Sequence, residues 1–260
     1  MRWQDLTTRE LAAVDRDTPL FLSIGAVEQH GPHLPLATDS LIGAYFLDAL
    51  DRRLGRDILV LPQVSIGCSH HHMDFAGTLT VSHAAFQAYV SDILHSALMH
   101  GFRNVILFNS HAGNQAVANL IIEGVGSVHP DCRIVLAGWW LLVAPELRRL
   151  RGPDAARDSH AGDLETSIVL HAAPDAVRPI EKDTPPCHHH GFDWSAGDLL
   201  TAERATLYSS MQTRTCGSGV AGDPSLATAA KGEAITGYVL DALTGIVADL
   251  RTGRRSPDAG

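Results

Sequence analysis

The sequence predicts an α/β fold with a mainly parallel sheet and helices on both of its faces, and three observations carry that prediction. Four short apolar runs are separated by stretches whose apolar residues recur at helical spacing. Two clusters rich in His, Glu, Asp and Asn each follow directly on one of those runs. In an open α/β sheet ligands bind beyond the carboxyl ends of the strands, which is where both clusters would lie.

Residues 3–15 carry Leu6, Leu11, Ala12 and Val14 with Thr7 or Thr8 available as a cap, so a short helix leads into the first strand. That strand is residues 20–24 (LFLSI). Residues 24–39 (IGAVEQHGPHLPLATD) follow, and Gly25, Gly31, Pro32 and Pro35 break any regular element that would continue. A helix is expected over residues 40–54, ending at Gly55, then a second strand over 58–64 (ILVLPQV). Residues 65–80 form a long loop with three consecutive histidines, and long loops inside compact domains tend to be functional. Residues 84–101 read as an amphipathic helix with His95 and His100 on its surface. Residues 104–108 (NVILF) are a buried strand running into the second cluster, 109–114 (NSHAGN). A helix over 116–125 and a strand over 133–138 (RIVLAG) complete the alternation.

His160 and Glu165 lie near the start of a further helix expected to bury Leu164, Ile168, Val169 and Leu170. Residues 175–222 are Pro- and Gly-rich and suggest a long excursion or an oligomer contact, with His188, His189 and His190 as exposed loop residues. Residues 217–224 are a turn or lid, and 227–250 a closing helix. The expectation is one domain over residues 1–252 and a disordered tail over 253–260.

With 260 residues, 45% of them apolar, the chain can bury one sizeable core. A net charge of -9 argues against binding nucleic acid or an anionic membrane surface and favours a small-molecule or peptide-like partner. The four cysteines form no CxxC pair and suggest neither a disulfide framework nor a cysteine zinc site, which fits a cytoplasmic protein. The polar amino terminus is unlike a signal peptide, and no apolar run suits a membrane span. The 15 histidines are the compositional oddity.

Taken singly, Glu28, His30, His33 and Asp39 read as turn or capping residues. Their joint occurrence reads as chemistry, because Glu, His and Asp are donors for Zn²⁺, Mn²⁺ or Fe²⁺ and a carboxylate can bridge two ions. Combining the clusters gathers Glu28, His30, Asp39, His111, His160 and Glu165, about the number a two-ion site needs, with Asp39 as the candidate bridge. Hydrolysis of an amide also requires a proton for the departing nitrogen. His160 is the residue assigned to carry it.

The ordered segments GAVEQHGPHLPLATD, FAGTLT, NSHAGN, HAGDLETS and GVAGDPSLAT, within residues 24–228, resemble the creatininase (creatinine amidohydrolase) family. The resemblance implies a three-layer α/β/α fold, two divalent ions per chain, ring assemblies that are often hexamers, and hydrolysis of C–N bonds. By motif position, Glu28, Asp39 and His111 would hold one ion, His30 with Asp39 the other, and His160 would be the catalytic histidine. Where creatininase has a metal-binding glutamate two positions after the NSHAGN histidine, this chain has Gly113, as do relatives with a glycine-rich motif. Glu165 is therefore assigned to complete the second site. The Trp-Asp pair that contacts creatinine is not evident before His160, so the expected substrate is another small amide, lactam, formamide or peptide-like molecule. His72 and Asn114 are expected at the substrate, although Asn114 could instead hold its loop by hydrogen bonds. The competing readings are a hydrolase or lyase using the same ions on a non-amide carbonyl such as an oxidised sugar, and a non-catalytic metal-binding scaffold.

Overall fold

A computed structural model describes residues 1–152, 157–180, 194–195, 197–201 and 205–253. The His188–His190 stretch, much of the Pro-rich segment and the tail beyond residue 253 lie outside the described residues. Four strands, β1 (Leu20–Ile24), β2 (Leu59–Val60), β3 (Asn104–Asn109) and β4 (Arg133–Gly138), form a parallel sheet in the order β2-β1-β3-β4. Its helices are α1 (Thr8–Ala12), α2 (Thr38–Leu54), α3 (His83–Met99), α4 (Gln115–Val128), α5 (Trp139–Leu142), α6 (Ala144–Arg151), α7 (Asp163–Ala172), α8 (Met211–Arg214) and α9 (Ala229–Thr252).

Successive residues of a strand face opposite sides, and each side here has its own core. Phe21, Ile106 and Phe108 pack with Phe46 of α2, Trp139, Ile168 of α7 and Val239 of α9. Leu20, Leu22, Ile24, Val105 and Leu107 pack with Phe86, Val90 and Leu94 of α3 and Val117 and Ile121 of α4. Helices therefore cover both faces, as the near-continuous apolar strands require. The expected three-layer α/β/α fold is the observed one.

Most elements fall where the periodicity predicts, and the departures have local causes. The predicted strand over 58–64 shortens to Leu59–Val60, because Pro62 has no N–H to donate. The chain nonetheless rejoins the sheet, Val64 N donating to Ser23 O at 3.0 Å. Helix α2 begins at Thr38, so Asp39 stands in its first turn rather than ahead of it. At α1, Thr7 and Glu10 form a reciprocal cap. His95 is half-buried, its Nδ1 2.9 Å from Nε2 of His129, whereas His100 is exposed. Cys216 is disulfide-bonded, where the sequence suggested no disulfide framework, because the spacing of cysteines along a chain does not show which of them meet in space. Cys68 and Cys132 are free.

The β1–β3 register sets Ile24 opposite Asn109, so the two polar clusters leave adjacent strands side by side. Ser110 N donating to Ile24 O at 3.0 Å carries the pairing one residue further. Helix α7, which brings Glu165, is pressed against α9 at Gly232, where an added Cβ would lie 2.0 Å from Ser167 O. Gly232→Ala is expected to lower stability by about 1–3 kcal/mol, read from urea unfolding. Gly237→Ala, on the exposed side of α9 with nothing within 4 Å, is expected to raise it by about 0.5–1 kcal/mol. A Gly232→Ala chain as stable as its parent would show that α7 and α9 do not approach this closely.

Candidate metal centre

All six residues assigned to the ions and to proton transfer meet in one buried cluster beyond the carboxyl ends of β1 and β3. Asp39 turns its two oxygens to different histidines, Oδ1 lying 3.5 Å from His30 Nε2 and Oδ2 3.1 Å from His111 Nδ1. On the first side Glu165 Oε2 approaches His30 Nε2 to 3.8 Å. On the second, Glu28 Oε2 lies 3.3 Å from His111 Nε2. The other Glu28 oxygen, Oε1, is 3.1 Å from His72 Nε2 and 3.7 Å from His160 Nδ1. These approaches lack hydrogen-bond geometry. Both Glu28 oxygens, Asp39 Oδ2 and His30 Nε2 are buried without a hydrogen-bond partner.

Orphaned oxygens and nitrogens at such density are costly unless a cation completes them. The donor set of carboxylates and imidazoles suits a divalent ion of the Zn²⁺, Mn²⁺ or Fe²⁺ kind. Among the described residues, four groups of three have donor atoms within 4.8 Å of one another: Glu28–His72–His160, Glu28–His71–His111, His30–His160–Glu165 and Glu28–His30–Asp39. They overlap at Glu28, His30 and His160 rather than dividing as the motif positions imply. His160, assigned as the proton carrier outside the ligand set, thus stands among the donors.

Backbone carbonyls orient the rings and set their tautomers, the usual arrangement around metal-binding histidines. His30 Nδ1 donates to Glu28 O at 3.1 Å, which aims Nε2 at Asp39 and Glu165. His111 Nε2 lies 3.2 Å from Cys68 O, so the neutral ring presents Nδ1 to Asp39. His160 Nε2 is 2.7 Å from Gln29 O and 3.1 Å from Gln29 Nε2; the shorter contact puts the proton on Nε2 and leaves Nδ1 facing Glu28. Gln29 Oε1 accepts from Gly31 N at 2.9 Å, so its amide nitrogen donates to His72 Nδ1 at 3.0 Å and the His72 proton sits on Nε2.

Electrostatics follow from burial. Burial pushes the carboxyls of Glu28 and Glu165 up to about 7. It also pulls on the imidazoles, but at His30 and His111 the facing carboxylates outweigh it and raise them to about 10 and about 9. Asp39 is held low because those two histidines override its burial. Burial first, then neighbouring histidines, pushes His160 and His72 far down and His71 to about 3.

The remaining predicted residues are placed as follows. His72 is 1% exposed and faces Glu28. Asn114 accepts from Cys68 N at 3.0 Å and donates to Gly25 O at 3.0 Å, so its hydrogen bonds hold the loops together. His33 turns away to Thr166 Oγ1 at 2.9 Å. Gly113 is where His71 and His111 close on each other, since an added Cβ would lie 2.3 Å from His111 Nε2 and 2.8 Å from the His71 ring. Of the three consecutive histidines expected from their place before the FAGTLT segment to line the pocket, His71 and His72 do line it, whereas Gln29 at the donor cluster and Arg214 in the cavity wall were not marked by the sequence. For Gln29 the available signal was its position between two candidate ligands. A cavity of about 190 Å³ opens in front of the cluster, and Arg214 lines its wall.

The family model for Creatininase: Creatinine amidohydrolase matches residues 4–247. A mycofactocin precursor peptide peptidase of Mycolicibacterium smegmatis is 33% identical over 239 residues, covering 88% of this chain and 83% of that protein. Two solved structures share the fold at 24% identity, each covering 95% of this chain and 97% of the other. They are a manganese creatininase with a TM-score of 0.78 and a mutant creatininase of Zn–Zn type with a TM-score of 0.77.

Without an ion, the folded chain keeps protons on His30 and His111 up to about 10 and about 9, whereas an ordinary histidine releases them near 6.5. The stability these protons supply is complete below pH 6.5 and lost as pH rises through 9 to 10. Glu28 and Glu165, raised to about 7, act in the same direction. The melting temperature of chelated protein is therefore expected to fall from pH 6.5 to 9, and added Zn²⁺ or Mn²⁺ to flatten the curve by displacing the protons. A melting temperature that climbs over that window would contradict the cluster's geometry.

Proposed function

The chain belongs to the creatininase family, a family of hydrolases, and from that premise we propose that it is a metal-dependent amidohydrolase cleaving a C–N bond in a peptide-like amide other than creatinine. The observation that carries this reading is the buried donor cluster, with Asp39 presenting one oxygen to His30 and the other to His111. The peptide-like substrate is supported by the relative that acts on a precursor peptide. It is supported also by Arg157, Asp158 and Ser159 ahead of His160, where a creatinine-contacting pair would stand.

Asp39 would bridge two divalent ions, with Glu28 and His111 on one side and His30 and Glu165 on the other. When bound, such ions supply Lewis acidity and a water nucleophile active near neutral pH. The chain's own residues do the rest. His160, kept neutral by burial and with Nδ1 unprotonated, takes a proton from the attacking water and delivers it to the departing nitrogen. The water oxygen bonds to the carbonyl carbon, the C–N bond breaks, and an acid and an amine leave. His72, whose protonated Nε2 lies 3.1 Å from Glu28 Oε1, would donate to a substrate oxygen in front of that carboxylate.

Elemental analysis of untagged protein is expected to find about two divalent ions per chain, falling in His111→Ala. His160→Ala is expected to keep its metal and to lose roughly 10²–10⁴ in turnover of small peptides and amides, followed by released amine. Loss of metal from His160→Ala would move that residue into the ligand set. Protein that takes up no Zn²⁺, Mn²⁺ or Fe²⁺ would sink the proposal.

A further inference from the structure

Asp158 is buried two residues ahead of His160 and stands in none of the donor groups. Its carboxylate closes a loop around the proposed proton carrier. Oδ2 accepts from Leu164 N at 3.0 Å in the first turn of α7, whose own capping position is Gly162 and has no side chain to do this. Oδ1 lies against two glycines from opposite sides of His160: a Cβ added at Gly162 would stand 2.0 Å from it, and one added at Gly222 2.5 Å. Two segments are thus cut back to bare backbone to admit one carboxylate.

Those segments are the ones that hold His160. On one side the histidine pairs with Ala221, His160 N donating to Ala221 O at 3.2 Å and Ala221 N to His160 O at 2.9 Å. On the other, Ala161 has a φ of 52°, a left-handed conformation that a Cβ disfavours, and its N–H donates to Glu165 Oε2 at 2.6 Å. A residue in such a conformation persists only where its surroundings fix it, and the loop closed by Asp158 and Leu164 encloses this one. The backbone of Asp158 is anchored as well, N donating to Asp198 Oδ2 at 3.2 Å and O accepting from Leu199 N at 3.0 Å.

The geometry points to Asp158 as a positioning residue: by filling the space between Gly162 and Gly222 and capping α7, it holds the turn that directs His160 Nδ1 to Glu28 and Glu165 Oε2 to His30. One side chain outside the cluster thereby orders two members of it. The inference rests on the proposed amidohydrolase reading for its effect on turnover, but not for its effect on the His160 ring.

The test follows that ring in the full chain supplied with Zn²⁺ and labelled with ¹⁵N-histidine, where the Nε2–H facing Gln29 O gives a resonance that His160→Gln removes. Asp158→Ala is expected to exchange this proton with solvent roughly tenfold or more faster than the parent, and Asp158→Asn, which keeps an acceptor for Leu164 N, to stay close to it. With tri-alanine as substrate, Asp158→Ala should lose roughly 10²-fold in kcat with KM little changed, and Asp158→Asn should recover most of that loss. Gly222→Ala, which crowds Oδ1 without removing it, is expected to speed exchange in the same direction and serves where Asp158→Ala does not fold. A residue that only caps α7 would lower the melting temperature of Asp158→Ala and leave the ring proton and kcat as in the parent. That result would overturn the proposal, as would the parental exchange rate in Gly222→Ala, an Asp158→Asn chain that behaves like Asp158→Ala, or a parent in which the His160 proton is unprotected. A ring proton that responds as expected in a chain that cleaves no tri-alanine would uphold the positioning role while removing the amidohydrolase reading for that peptide.

Discussion

Three carboxylates buried within reach of one another, Glu28, Asp39 and Glu165, are the constraint on which the rest of the structure depends. Each ionised carboxylate removed from water costs several kcal/mol unless it is paired, and like charges brought together add to that cost. The chain responds in two ways. It surrounds the carboxylates with histidines, two of which are held protonated in the absence of an ion, and it lets burial push Glu28 and Glu165 up to about 7. Neither response satisfies the atoms: both Glu28 oxygens, Asp39 Oδ2 and His30 Nε2 are left without hydrogen bonds. A cluster with this arrangement is unfavourable for a bare protein and favourable for one that holds cations.

The fold supplies the rigidity that such a cluster needs. Parallel pairing sets Ile24 against Asn109, which fixes where both site loops begin. Asn114 then ties the histidine loop to the first loop through Cys68 N and Gly25 O. Gly113 keeps the approach between His71 and His111 open, because any side chain there would meet the His111 ring. The close seat of α9 on α7 at Gly232 presses Glu165 towards His30. Packing far from the centre and hydrogen bonds beside it therefore serve the same end.

How much of this was legible in the sequence depends on whether the signal was local. Strands β1 and β4 fall on the apolar runs that predict them, and the site residues Glu28, His30, Asp39 and His111 stand in loops that Gly and Pro mark plainly. The two-residue β2 was overread, because an apolar run does not reveal how far Pro62 interrupts a ladder. Arg214 carried no mark, being one charged residue in a segment of irregular composition that only the tertiary fold returns to the cavity. His71 was indistinguishable from its neighbours, since three adjacent histidines differ only in the direction each side chain takes.

Gln29 shows how a single unassuming side chain can divide labour among those histidines. Its Oε1 is committed to Gly31 N, so the amide cannot turn over, and its nitrogen must donate to His72. That leaves His72 as a donor on its Nε2 side. The backbone carbonyl of the same residue takes the proton of His160 Nε2, which leaves His160 with a free lone pair on Nδ1 towards Glu28. Two rings whose centroids are 4.5 Å apart thus present opposite functions to one carboxylate. Because a proton carrier must begin with a free lone pair and a donor with a proton, the division of roles proposed for His160 and His72 depends on Gln29 rather than on either histidine alone.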